Sequence, residues 1–452
     1  MIPDGLRSRQ HATLRRGARF RSASRWRVWG CSLLALCAPV PALAQSASTL
    51  ITQAIAPDYS RDRNVSVLEL PHPDYDPLGI RVGSFIANTS VTVSTGATDN
   101  VFTDNLNKKS DVFVVLEPYV RLGSDWSRHQ LSFESAGDLR RYANQGLRDQ
   151  NGWYANGRGL VEVRDYLTLT ADGQIARAFE SPYSGDVATN VTVLSNYLRK
   201  YGALRATYTR GRTRIVASYD RTSFAFNTID FANGTSRAQS FRDRTMSRGA
   251  VLGEIGLDPT VSLFGQFSYD GIDYRQALVD GNPNRDSTGT NVIGGINFDV
   301  PGSMRGSIGI GYSIRDYKAA IYRNAKGLSA QIKVEFFPSP ITTIGLTIQR
   351  QIQDASLGSS GAFTDNRVVV RADHLLLENL VLSASLEFAR QQYAESARRV
   401  DVARLGSNAR FQMTRSLSLG ADLAYGKSSP AGASLGNPFN ELRALFSVRF
   451  RR

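Results

Sequence analysis

Cysteine is almost missing from this chain of 452 residues. Only Cys31 and Cys37 carry a thiol, and both fall within the first 44 positions. Beyond them no disulfide and no thiolate metal site can be built. Histidine is nearly as scarce: after that stretch only His72, His129 and His374 occur, far apart in the sequence. No metal and no cofactor is therefore expected. Lysine occurs seven times, and arginine supplies the rest of the 54 basic residues. Long apolar runs are also absent. After the first 44 residues none reaches the ~20 apolar residues of a spanning helix.

The first 44 residues read as an export signal. Eight arginines (Arg7, Arg9, Arg15, Arg16, Arg19, Arg21, Arg25 and Arg27) precede the apolar stretch 28–40. Ala42-Leu43-Ala44 then offers a small-residue cleavage site before Gln45. Neither cysteine suits lipid attachment, since Cys37 follows Leu36 and Cys31 has the bulky Trp29 two residues before it. The pair Arg15-Arg16 stands in a leader already rich in arginine, so the general secretory route is expected. The leader also accounts for half of the formal net charge of +14, because it holds eight arginines and only Asp4 in opposition. What remains is modestly basic, and nucleic acid is not expected as a partner.

Residues 45–80 mix a short helical pattern with a Pro- and Asp-rich extended run and read as a periplasmic tether. From position 81 to the C-terminus one pattern repeats. The stretch 302–318, GSMRGSIGIGYSIRDYK, shows it well. Its glycines fall in the order G-x-x-G-x-G, which is not the dinucleotide-binding order, and no helical pattern follows. Ile308, Ile310, Tyr312 and Ile314 alternate with small or polar residues, the period of a strand with two differently solvated faces.

Eighteen such segments centre on 83–94, 110–122, 129–142, 153–164, 166–179, 193–209, 212–225, 242–257, 260–275, 288–300, 304–317, 328–337, 341–353, 366–376, 379–393, 400–413, 415–426 and 439–450. Every even segment ends in a tight link such as RGR or PSP. Most odd segments end in a long polar one, such as TGATDNVFTDNLNKKS or NTIDFANGTSRAQS. Alternating short turns and long loops is the plan of an outer-membrane barrel, with turns in the periplasm and loops outside. An all-β, transmembrane antiparallel barrel over 81–452 is expected, with sixteen strands as the count if one hairpin is misread. The face opposite the apolar one carries Ser, Thr, Gly, Gln, Asp, Glu and Arg. Burying so many polar groups in a dry core would cost several kcal/mol apiece, whereas a wet lumen accepts them.

The residues 71–102, PHPDYDPLGIRVGSFIANTSVTVSTGATDNVF, resemble a family of outer-membrane β-barrel porins associated with exopolysaccharide biosynthesis and export. The shared features are Pro73, Tyr75 and Pro77, Gly79-Ile80-Arg81, Gly83-Ser84-Phe85, and Asp99-Asn100-Val101-Phe102. The resemblance implies a location in the outer membrane of a Gram-negative cell. It also implies a role as conduit for an exopolysaccharide or capsular polysaccharide. The implied partners are outer-membrane lipids, a polysaccharide cargo, a periplasmic polysaccharide-export component and the barrel-assembly machinery. One feature departs from the usual terminal aromatic: Phe450 is followed by Arg451-Arg452.

The strand registers place more bases than acids on the inner face. Arg158, Arg205, Arg214, Arg305, Arg367, Arg371, Arg404 and Arg410 are the candidate binding track for an acidic polymer, since the planar guanidinium grips carboxylates bidentately. Mutually neutralising pairs that brace the wall are the other reading of the same residues. Two alternatives to export follow from the sequence. One is a general or substrate-selective diffusion porin, although no link stands out as an in-folding constriction loop. The other is a lipid-modifying enzyme, for which only Ser127 with His129 and Asp373 with His374 offer candidate groups. No catalytic residue is assigned.

Overall fold

The computed structural model describes residues 55–61, 63–184, 192–230, 234–279, 281–355, 360–432 and 437–452. The export signal over 1–44 lies outside the described residues, as does the start of the tether. Eighteen long strands follow one another: β1 (Phe85–Thr98), β2 (Asp111–Ser124), β3 (Gln130–Tyr142), β4 (Gln150–Arg164), β5 (Leu167–Phe179), β6 (Asn196–Arg210), β7 (Thr213–Phe226), β8 (Arg244–Gly256), β9 (Val261–Tyr274), β10 (Ser287–Val300), β11 (Met304–Tyr317), β12 (Ala325–Ser339), β13 (Thr342–Asp354), β14 (Ala362–Leu377), β15 (Leu380–Tyr393), β16 (Arg399–Gln412), β17 (Leu417–Ala431) and β18 (Phe439–Arg451). Each pairs antiparallel with its neighbours in the chain, and β1 pairs with both β2 and β18. The sheet is therefore closed, which removes every free edge. All eighteen expected segments coincide with these strands.

The connectors sort as expected. Glycines at positive φ, such as Gly211 and Gly302, turn the chain between β6 and β7 and between β10 and β11. The other end carries the longer links, two of which contain small hairpins of their own, Ile229–Asp230 with Ser236–Arg237 and Leu278–Val279 with Asn282–Pro283. The outward face is apolar and exposed, with Ile310, Tyr312, Phe388, Leu405 and Phe446 among its residues. That is the surface that lipid covers.

The glycines of 302–318 serve the barrel wall. A Cβ at Gly311 would overlap the carbonyl oxygen of Val292, and one at Gly306 would overlap that of Lys333. Close approach of β10, β11 and β12 requires glycine at these positions. At the seam the chain closes past its last aromatic. Phe450 points outward, and the backbones of Arg452 and Thr89 bond to each other at 2.9 and 3.0 Å.

Candidate functional site

The N-terminal segment enters the barrel. Residues 55–61 and 63–69 lie along the inner wall of β7 to β13 near the turns that join these strands at the periplasmic end. Ile55 packs on Val216, Ala250 and Leu252, with Phe264 beside them. The inner face carries other apolar clusters, such as Met246 with Ile272, and this one is covered by the N-terminal segment. Burying one such side chain is worth about 1.5–3 kcal/mol. Polar contacts continue the seam. Arg61 Nη2 meets Glu254 at 2.6 Å, and Asp58 meets Arg214 at 3.3 Å. Asn64 Nδ2 donates to Asp299 Oδ1 at 2.6 Å, and Val67 N donates to Thr343 Oγ1 at 2.9 Å.

Arg305 is the centre of this latch. Its guanidinium donates to Glu335 at 2.5 Å on the wall, and to Glu69 at 2.6 Å and the carbonyl of Asn64 at 2.8 Å on the segment. Arg305 is 3% exposed and Asp299 is fully buried. Charges so placed hold only when every partner is present. The segment then leaves the wall and crosses to the seam. There Arg415 donates to the carbonyl of Pro73 and Arg451 to that of Tyr75, each at 2.8 Å. The Pro-Asp-Tyr-Asp-Pro motif thus fastens the segment beside the first and last strands.

A loop closes in from the extracellular end. Residues 180–184, which follow β5, turn inward, and the buried pair Glu180–Arg242 anchors them to the loop before β8. Tyr183 then reaches the wall of β16 to β18. Its hydroxyl lies 3.2 Å from Glu441, its ring centroid is 5.1 Å from that of Phe439, and the Arg404 guanidinium stands 5.2 Å from its centre. Gly426 leaves room for the phenol, which would overlap any Cβ there. Burial and the Glu441 carboxylate hold the Tyr183 hydroxyl far above the usual phenol range. The sequence offered no sign of this in-folding loop, because a serine-, glycine- and tyrosine-containing link looks the same whether it points in or out.

Below Tyr183 lies a cavity of about 500 Å³. Its wall includes Arg140, Arg148, Arg367, Arg371, Arg404, Arg410, Arg443 and Arg449, facing Glu117, Asp138, Glu180, Glu387, Asp422 and Glu441. Arginine is in excess, and Glu180 is already engaged by Arg242 outside the cavity. Arg367 and Arg404 both hold Glu387, the latter at 3.2 Å, while Arg371 holds Asp373 at 2.9 Å. Burial also pulls the Arg148 guanidinium, in the loop after β3, down to about 10.

Of the eight candidate arginines, Arg367, Arg371, Arg404 and Arg410 therefore share one cavity. Arg214 and Arg305 lie beneath the N-terminal segment. Arg158 faces Asp172 at 3.7 Å, and Arg205 stands on β6 with its Nε buried and unbonded. The inner face holds braced pairs, and one cavity on it is lined by more arginines than carboxylates. Asp373 and His374 do not come together. Asp373 and His374 point to opposite faces of β14, His374 bonding Thr342 at 2.9 Å, and His129 accepts from the backbone of Glu162.

A family model described as "Putative beta-barrel porin 2" matches residues 72–452. A search of curated proteins finds no match. Among solved structures the chain is similar to a bacterial polysaccharide outer membrane secretin (12% identity, 82% of this chain and 100% of that chain, TM-score 0.36). It is also similar to the outer membrane protein OpdK of Pseudomonas aeruginosa (10% identity, 81% and 99%, TM-score 0.42). A third is the copper transporter OprC (14% identity, 83% and 81%, TM-score 0.47).

Proposed function

The chain belongs to this family of outer-membrane β-barrel porins, and from that premise we propose that it conducts an acidic polysaccharide across the outer membrane. The observation that carries the reading is the cavity wall, on which arginine outnumbers carboxylate beneath an aromatic ring. A uronate carboxylate can be gripped by a guanidinium fork, and a sugar face can rest on the Tyr183 ring. In a hydrated lumen each ionic contact contributes only about 0–1 kcal/mol, so many such contacts guide a chain without trapping it. The likeness of residues 71–102 to exopolysaccharide-associated barrels supports the same cargo.

Deleting the gene tests this directly. Secreted acidic polysaccharide is expected to fall to near background while the other outer-membrane proteins stay normal. Unchanged amount and chain length of the polymer would sink the export reading.

A second reading, a substrate-selective diffusion porin, is favoured by the in-folded loop, since a tyrosine set across the lumen narrows it for small solutes. Tyr183→Ala separates the two. For a porin the variant admits larger sugars in liposome swelling, with secreted polymer untouched. For the conduit it lowers polymer output about tenfold, the effect of losing a stacking contact of ~1.5 kcal/mol at a repeatedly used site.

A further inference from the structure

The outer surface of β12 to β17 carries a row of charges that the lumen does not use. Cross-strand register runs from Arg350 through Asn366 and Arg390 to Asp401. Directly beneath, two residues towards the periplasm on each strand, the same face reads Ile348, Val368, Phe388 and Ala403, and then Leu346, Val370, Leu386 and Leu405. On β14 to β16 the row therefore sits where the apolar band ends on the extracellular side, since the next residues outward are Thr364, Gln392 and Arg399. Lys326, Arg399 and Lys427 are exposed beside it.

The charges in this row do not cancel. Asp401 takes both Arg390 at 2.7 Å and Arg399 at 3.0 Å. Arg350 donates only to neutral groups, the side-chain oxygen of Asn366 at 2.6 Å and the carbonyl of Leu328 at 3.1 Å. Arg390 and Arg399 thus share the row's one carboxylate; Asp316 of β11 lies beyond Lys326, and Glu395, in the link between β15 and β16, accepts from the backbone of Arg323 and Gly361. A lipid-facing charge is tolerated only at headgroup depth. A cluster of one sign at that depth recognises headgroups of the opposite sign.

We propose that this face binds the phosphate groups of a phosphorylated glycolipid in the extracellular leaflet. Arg350 and Arg390 are spaced by the Asn366 amide, so that two forks and an amide donor can meet phosphate oxygens while the acyl chains lie on Val368, Phe388 and Leu386. Lys326, four residues beyond the row's neighbour Ala330 on β12, and Lys427, two residues short of its neighbour Ser429 on β17, flank the row.

The test uses the full-length barrel, purified in detergent and titrated with bis-phosphorylated lipid A or its dephosphorylated form, with retained lipid read by native mass spectrometry. The phosphorylated lipid is expected to be retained preferentially and in a salt-sensitive way. Each base removed in Arg350→Gln, Arg390→Gln and Lys427→Gln should lower retention about fivefold. Folding is followed by heat-dependent gel mobility. If the triple variant does not fold, Lys326→Gln with Lys427→Gln removes two exposed side chains that flank the row and decides the matter. Equal retention of the two lipids, unchanged retention by the variants, or displacement of the lipid by a polyuronate would overturn the proposal.

Discussion

Removal of residues 55–70 is expected to raise the conductance of a single barrel about two- to threefold in planar bilayers, as it frees lumen cross-section along β7 to β13. The segment fills that part of the lumen by two devices at once. Ile55 covers an apolar patch, and Arg305, Asp299 and Glu254 are satisfied by Arg61, Asn64 and Glu69. The deletion leaves residues 71–79 and their fastening by Arg415 and Arg451 in place, so barrel closure should survive. It also leaves Arg305 with only Glu335, a pair that water can then reach. A double variant gives the reversible form of the experiment. Asn64 and Asp299, whose side chains are 2.6 Å apart, are both replaced by cysteine in a chain otherwise free of thiols beyond position 44. Oxidised, the segment is locked and conductance stays low. Reduced, it has lost its Asp299 contacts but keeps those of Ile55, Arg61 and Glu69, and conductance should fall between the locked form and the deletion. Equal conductance in all states would mean that the segment does not obstruct the path.

The second large effect concerns ion selectivity. Neutralising Arg367, Arg371, Arg404 and Arg410 together to glutamine should abolish a preference for anions that the wild-type pore shows by about two- to fivefold in reversal-potential measurements. The four share one cavity, so their fields add where a passing ion is least screened by bulk water. Glutamine keeps hydrogen-bonding capacity towards Glu387 and Asp373. Those acids line or adjoin a wet lumen, and losing their cationic partners should cost far less than the ~3–5 kcal/mol of a dry buried pair. Barrel abundance is therefore expected to stay normal while secreted acidic polymer falls. Selectivity that persists in the quadruple variant would move the functional charge to Arg140 on β3 and to Arg443 and Arg449 on β18.

The barrel itself was legible in the chain because its signal is repeated eighteen times. Period two is set by strand geometry alone, and a face that meets lipid must be apolar at every other residue whatever lies inside. Loop length is sorted by the side of the membrane for reasons just as local. Even the inward arginines could be assigned by counting, since register fixes the side on which each residue falls. The lumen's contents were not legible. Residues 55–69 carry Asp58, Arg61, Asn64 and Glu69 in a polar stretch that suits open water equally well. Their partners, Arg214, Glu254, Asp299 and Arg305, lie about 150 to 240 positions away in the chain. Tyr183 is likewise one aromatic in a loop until Gly426, Arg404 and Glu441 are brought around it from the far side of the barrel. Alternation along a strand reports only which side a residue faces. What fills the space enclosed depends on contacts between distant strands, and these exist only once the sheet has closed on itself.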